Sequence, residues 1–469
     1  MRSESARPDP TQERFEMSAL PSQSSLSRIS NFDQDPPTKK AGTSVVDNDA
    51  VGNQAVKISD DQIVEYAPAD SRYGWIIVTC AAFNLMCTLG IVNSFGVFTT
   101  YYINYIYAHE SAASVAWIGT MVSAVMLGGS VTTGPLTDRF GFRKVALTGT
   151  VICCIALVLA SFTTQLWQLV LTQGILFGIG ASLIFSPSIS LPAQWHIRYR
   201  AIATGLTVAG SGAGGMIFTE LTQRMMDTIG YRWTLRALAL MLVGISGISG
   251  SFYKRRISVP RGGIDFRAIV TDPRLIVIGL AGLFVYAGYF VPWYYLPTAA
   301  LEIGETTQSS NKLVLYMNAS STVGRVLAAY AAVMVGPINS VALAYLVCSV
   351  LTLVIMVVVR SMAGYVVLSV VFGGLSASCV SIAPLVLTNI FGVQAVTTAM
   401  GIVNLWCAVG VLIGNPSQGA VYQRFDRPYH SFTAIAIWGF VGLALASGSY
   451  LMLKVIIIRG TPKRIWSRL

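Results

Sequence analysis

The chain has 469 residues, of which 54% are hydrophobic and 11% charged, with a mean hydropathy of +0.61 and a formal net charge of +11. Soluble domains carry about 25% charged residues, so a soluble globular protein is excluded for most of this length. The basic residues are scattered between apolar runs and form no continuous stripe, which argues against a nucleic-acid partner.

Residues 1–72 hold 8 Lys+Arg against 12 Asp+Glu and are rich in Ser, Pro and Gln. They contain no apolar core of the about 7–15 residues that a signal peptide needs. They cannot bury enough surface to fold, so a disordered cytoplasmic tail is expected. The first half then reads as spans near 74–98, 114–136, 145–163, 166–190, 200–222 and 233–253. A polar, basic connector covers 254–274. The second half reads as spans near 275–299, 312–333, 339–359, 362–384, 396–418 and 432–455. No Asp, Glu, Lys or Arg occurs between Lys144 and His196, or between Arg360 and Arg424. Each of these stretches holds two spans of about 20 residues. Lipid supplies no hydrogen-bond partners, and the runs lack strand alternation, so the spans must be helices. The expected fold is an all-α membrane protein with twelve transmembrane helices in two six-helix bundles. Residues 73–253 form the first bundle and 275–456 the second, and 457–469 form a basic cytoplasmic C-terminus. This division is the hydropathy mark of a transporter built from two halves.

Orientation follows from the loops. With a cytoplasmic N-terminus, inner loops, connector and C-terminal end hold 16 Lys+Arg and outer loops 6. That bias predicts both termini in the cytoplasm, and the plasma membrane is the expected location. The seven cysteines all lie inside apolar runs, without metal-ligand spacing to a histidine, and read as small buried hydrophobes. No metal or cofactor site is expected. The histidines, His109, His196 and His430, lie in loops or near span ends, so no catalytic cluster forms and an enzyme is not expected.

The loop after the second span reads Gly134-Pro-Leu-Thr-Asp138-Arg139-Phe-Gly141-Phe-Arg143-Lys144. Gly141 permits a sharp turn. Asp138 stands at a helix end beside three cations, where it can pair and hold one conformation of a rocking protein. Positive-inside charge alone is the plainer reading of Arg139, Arg143 and Lys144. With the six-plus-six layout, this loop resembles the signature loop of the major facilitator superfamily, which says nothing about substrate.

Two further stretches narrow the resemblance. Asp70-Ser-Arg-Tyr73-Gly74-Trp75 leads into the first span. Trp195-His-Ile-Arg198-Tyr199-Arg200 opens the fifth, which continues with Gly205, Ala209 and Ala213 and with Gly210 and Gly214, each set at four-residue spacing. Small residues at that spacing let neighbouring backbones approach closely. Together the stretches resemble the two signatures of the monocarboxylate porter branch, fungal type. Gly324-Arg325 and the later Gly336-Pro337-Ile338-Asn339 are similar to that branch too.

Arg325 falls mid-span in the eighth span. A cation there is costly, so it should face the bundle interior. A guanidinium pairs with a carboxylate in a bidentate fork. A structural contact to helix-end carbonyls is the competing reading. The resemblance implies a role for this arginine in substrate recognition. The chain also departs from the porters. Ser321 stands where they carry an Asp one turn before the arginine, and Asn93 where they carry a Lys. Val333 and Met334 replace the charged pair of the second signature loop. A proton relay is thus incomplete, and proton coupling and facilitated exchange both stay open.

Other cavity candidates are uncharged: Asn84, Asn93, Asn318 and Asn404, and the aromatic run Tyr286, Tyr289, Trp293, Tyr294 and Tyr295. Pro292 and Pro297 are expected to break the seventh helix and free carbonyls for a ligand or a gate. Glu220 and Arg236 are expected to pair at the outer face. The expected function is transport of an organic anion or monocarboxylate-like metabolite by alternating access, with Arg325, Asn318, Asn93, Tyr289, Trp293 and Asn404 around the substrate. Efflux of a fungal secondary metabolite and a transporter-like nutrient sensor are the alternatives.

Overall fold

The computed structural model describes residues 68, 70–107, 109, 112–256, 266–426 and 431–460. Nearly all of the expected tail, the middle of the connector, His430 and residues 461–469 lie outside the described residues. Among the described residues the regular structure is entirely helical.

Ten helical stretches are long and apolar enough to cross a membrane. The first four are α1 Arg72–Thr99, α2 Ser114–Phe140, α3 Phe142–Ala160 and α4 Leu166–Trp195. The next, Arg200–Ser251, turns at Gly230 (φ 75°) and supplies two helices, α5 over 200–229 and α6 over 231–251. There follow α7 Pro273–Glu302, α9 Pro337–Val359, α10 Met362–Gly392, α11 Ala395–Asp426 and α12 Thr433–Arg459. Between α7 and α9 lies α8, Thr307–Val335, which at 29 residues is long enough to span. Its Lys312, Arg325 and Ser/Asn content lower its hydropathy below that of the other spans. The chain is an integral, multi-pass helical membrane protein, and its described residues hold twelve helices of spanning length.

Two expected loops are helical. α5 continues to residue 229, past the predicted end at 222. Arg224 bonds Glu220 and Gln223 bonds Asp227, both one turn apart, so a polar extension is carried on surface pairs. The pairing expected between Glu220 and Arg236 is therefore corrected. Glu220 takes Arg224 at 2.7 Å, while Arg236 bonds Ser161 Oγ at 3.0 Å and lies over the rings of Phe162 and Trp233. α10 likewise runs through Leu385–Phe391 to Gly392, the first glycine after Gly374 and the residue that takes the positive φ of the turn.

The tight turns fall on glycines with positive φ: Gly141 (85°), Gly230, Gly336 (98°) and Gly392 (79°). Gly141 joins α2 to α3 and Gly336 joins α8 to α9, so the second half keeps the turn of the signature loop although its charges are gone.

Helices α1–α6 pack chiefly on one another, and α7–α12 do the same. Within the first half, α1 lies directly on α5. A Cβ built on Gly210 would stand 2.9 Å from the Cα of Ala82, and one on Gly214 2.9 Å from the Cα of Met86. The small-residue spacing of α5 is thus used for backbone contact, as expected. Two main seams join the halves. In the first, Gly128, Ser130 and Gly134 of α2 meet Ala408, Gly401 and Thr398 of α11. In the second, Gly205, Gly212 and Gly215 of α5 meet Ala329, Thr322 and Asn318 of α8.

Candidate functional site

The α5–α8 seam carries the residue singled out by sequence. Arg325 is half-buried on α8, and its guanidinium points across the seam at α5. Nη1 donates to the Val208 carbonyl at 3.3 Å and to Ser211 Oγ in a short contact. The Ser211 hydroxyl donates in turn to Val208 O at 2.6 Å, which leaves its lone pairs to receive the guanidinium. Nε of Arg325 has no hydrogen-bond partner among the described residues, and neither has the buried Oγ of Ser321, one turn earlier. The expectation of an interior-facing arginine holds, but its neighbour is the opposite half rather than an acid.

The other candidates distribute around it unequally. Tyr286 and Tyr289 of α7 lie within electrostatic reach of the guanidinium. Tyr289 and Trp293 stack at 6.1 Å, and Tyr289 also meets Phe372 of α10 at 6.1 Å. Asn318 and Asn93 flank a single glycine: a Cβ on Gly215 would stand 2.6 Å from Asn318 Oδ1 and 2.9 Å from Asn93 Nδ2. Asn93 is exposed, whereas Asn318 is buried and bonds Val314 O at 3.1 Å. Asn404 sits apart, one turn from Gly401 on the α2–α11 seam, with its buried Nδ2 unpartnered. Asn84 is not a cavity residue. It is fully buried inside the first half and donates to the Tyr253 hydroxyl at 2.7 Å, which also bonds Ser188.

The α7 prolines act partly as expected. The helix is interrupted at Tyr289, between Pro273–Gly288 and Phe290–Glu302. Two carbonyls near the break, neither of them the one four residues before a proline, accept from side chains of other helices. Ala287 O accepts from Gln418 Nε2 and Trp438 Nε1, both at 2.8 Å, and Pro297 O accepts from Ser310 Oγ at 2.6 Å.

The signature loop is built differently from the sequence expectation. Asp138 does not pair with Arg139, Arg143 or Lys144. Its cation is Arg255, beyond α6, with Nη2 at 2.6 Å from Oδ1. Arg255 also donates to the carbonyls of Thr137 and Asp138 and lies over the Phe142 ring. Arg139 instead lies over Phe140. Gly134 packs on Thr397 and Thr398 of α11, and Gly141 makes the turn. In the second half, Lys454 near the end of α12 donates to Asn339 Oδ1 at 2.8 Å. In the first half a cation just beyond the last helix, and in the second a cation within the last helix, bonds a side chain that flanks the turn after the second helix, with an amide replacing the carboxylate in the second half.

The two stretches that lead into α1 and α5 are brought together at this same basic end. Asp70 accepts from the backbone N–H groups of Ile197 and Arg198 and contacts His196 Nδ1, each at 3.2 Å. Burial alone would raise the Asp70 carboxyl, but the bonds from Arg198, His196 and Ile197 prevail and hold it below its ordinary value. Tyr73 packs on Trp195 and donates to Phe252 O at 2.7 Å, and Trp195 donates to Lys254 O at 2.9 Å.

No acid stands in the interior of a described span. Asp138, Asp272, Glu302, Glu305 and Asp426 are at helix ends, and Glu220 and Asp227 are in the last ten residues of α5, Glu220 exposed in its pair with Arg224. Asp426 is buried, but it caps α12 through the N–H groups of Ala434 and Ile435. Sequence reading missed Ser211, Val208 and Arg255. Ser211 was hidden among small residues that read as packing, and Arg255 within a basic triplet that read as loop charge.

This architecture has relatives. The family model described as Major Facilitator Superfamily matches residues 79–415. The MFS-type transporter pynF of Aspergillus niger is 31% identical over 86% of this chain and 93% of its own. The aspyridones efflux protein apdF of Emericella nidulans is 30% identical over 76% of this chain and 74% of its own. The agnestins efflux protein AgnL12 of Paecilomyces divaricatus is 30% identical over 79% and 83%. Among solved structures, the transporter FucP in its outward conformation superposes with a TM-score of 0.63 at 13% identity, covering 81% of this chain and 99% of that one. With the matched family model covering most of the helices described above, the chain belongs to the major facilitator superfamily and is a membrane transporter.

Proposed function

We propose that this transporter exports an organic anion of fungal secondary metabolism by alternating access, and that Arg325 anchors the anion. The observation that carries the reading is a lone guanidinium at the seam between the halves, with a free Nε and no acid in the interior of any described span. A cation so placed calls for an anionic partner, and a carboxylate is the group its fork fits. Tyr289 and Trp293 offer apolar faces beside it, and Asn93 and Asn318 offer amides further along the seam. Efflux is favoured by relatives whose names describe efflux of aspyridones and agnestins.

In this reading residues 73–253 and 275–456 rock as two bundles about the seams, and the Asp138–Arg255 pair holds the basic end shut in one state. The basic loops support cytoplasmic termini and suit a plasma-membrane exporter. The signature stretches at Asp70–Trp75 and Trp195–Arg200 support kinship with the monocarboxylate porters. The missing acid beside Arg325 favours facilitated exchange over proton coupling.

The test is release of labelled organic acids from a yeast host stripped of its own exporters. Wild type should release an aryl carboxylate, and Arg325→Ala should not, with equal protein at the membrane. Equal release by Arg325→Ala removes the arginine from the site.

A further inference from the structure

The hydrogen bonds of Arg325 all run to the other half of the molecule. Its Nη1 reaches Val208 O and Ser211 Oγ on α5, and the Ser211 hydroxyl is itself oriented by its bond to Val208 O. The seam is dense on both sides of this contact, with Gly205 against Ala329 and Gly212 against Thr322. The guanidinium therefore sits between two close contacts of α5 and α8.

We propose that Ser211 is a positioning residue for Arg325, and that in the unloaded carrier the pair ties the two halves together until an organic anion takes the guanidinium. This rests on the anion-anchor reading above and deepens it. The chemistry is a competition. A permanent cation at membrane depth must be met by dipoles or by charge. Val208 O and the Ser211 hydroxyl supply dipoles. A carboxylate or enolate supplies charge and two acceptor oxygens, and a charge-assisted bidentate pair is the stronger of the two. An anion bound at the fork withdraws the guanidinium from α5 and so releases the seam. The empty carrier is then slower to change conformation than the loaded one, and anion on the far side should accelerate export.

The first test needs no substrate. Spin labels replace Tyr199 and Val335, exposed residues at the basic ends of α5 and α8, in a cysteine-free background. Electron–electron distance measurements on the purified carrier in nanodiscs should give one short population. Ser211→Ala and Arg325→Gln should each add a longer one. An unchanged distance in both variants overturns the tie, whatever the transport assays show.

The second test separates the tie from simple packing. In proteoliposomes with labelled para-aminohippurate as probe, wild type should exchange the probe faster than it releases it into probe-free buffer. Ser211→Ala should lower that ratio by about tenfold, equivalent to about 1.4 kcal/mol at the empty-carrier step, by raising the unidirectional rate. Ser211→Thr, which keeps the hydroxyl, should restore the ratio. Equal exchange and unidirectional rates in wild type refute the tie but leave the exporter standing. Failure to move any organic anion, with the distances behaving as expected, refutes the exporter reading and leaves the tie.

Discussion

The Asp138–Arg255 pair is open to a quantitative test that separates it from the pairing the sequence suggests. Both side chains are about three-quarters covered, at 26% and 23% exposed. A hydrogen bond to a charged group contributes about 1.5–3 kcal/mol net. Partial solvent screening lowers this, so a coupling of about 1–2 kcal/mol is expected from the pair. The single substitutions should be unequal. Asp138→Ala leaves Arg255 bonded to the carbonyls of Thr137 and Asp138 and seated on the Phe142 ring. Arg255→Ala strips those carbonyls of a donor, removes the ring contact and leaves a half-buried carboxylate without its cation. We expect about 1–2 kcal/mol for the first and about 2–4 kcal/mol for the second. The assay is a double-mutant cycle read by thermal unfolding in nanodiscs, with Arg143→Ala and Lys144→Ala as parallel partners for Asp138→Ala. Coupling of Asp138 to Arg143 or Lys144, with none to Arg255, would refute the reasoning and restore a purely local latch.

Three further expectations share that assay. Gly214→Ala must push a Cβ into the backbone of Met86 and should lose about 1–3 kcal/mol; Gly244→Ala, which meets open space, should gain about 0.5–1 kcal/mol from helix propensity. Equal effects would show that α1 and α5 do not touch through their backbones. Ser310→Ala removes the side-chain donor that Pro297 O receives from α8 and should cost about 0.5–1.5 kcal/mol; no loss would show that the bond does not tie α7 to α8. Asp70, held below its ordinary value, contributes stability that is present above the unfolded carboxyl value and is lost as pH falls through the lower folded one. Wild type should therefore lose more stability than Asp70→Asn on acidification below about pH 4, and parallel curves would deny Asp70 that role.

The twelve helices were legible because hydropathy reports burial in lipid directly, and lipid permits little but helix. Helix ends were less legible. The extension of α5 to residue 229 depends on one-turn pairs such as Glu220–Arg224, which a hydropathy window discards as loop. The site was legible by type more than by partner. Arg325 was found because a cation in an apolar run is conspicuous, and its interior orientation follows from cost alone. Its contact with Ser211 and the grip of Arg255 on Asp138 join residues more than 100 positions apart, and nothing local marks them. Asn84 and Asn318 looked alike as amides in apolar helices. Only packing tells them apart: Asn84 is spent on Tyr253 inside one half, and Asn318 is turned to the seam.

The absence of an interior acid among the described spans bears on energetics as well as on coupling. An arginine paired with a carboxylate needs a second event, protonation of that carboxylate, before a substrate anion can claim it. Arg325 is held instead by a hydroxyl and a helix carbonyl, neither of which titrates near neutral pH. The exchange of partners at the guanidinium then depends on the anion alone. Dissipating the pH gradient should leave flux nearly unchanged, while raising external anion should speed it. A flux that falls in proportion to the collapsed gradient would require a proton site other than the partners of Arg325, and would overturn the assignment of Arg325 as an anion-gated tie.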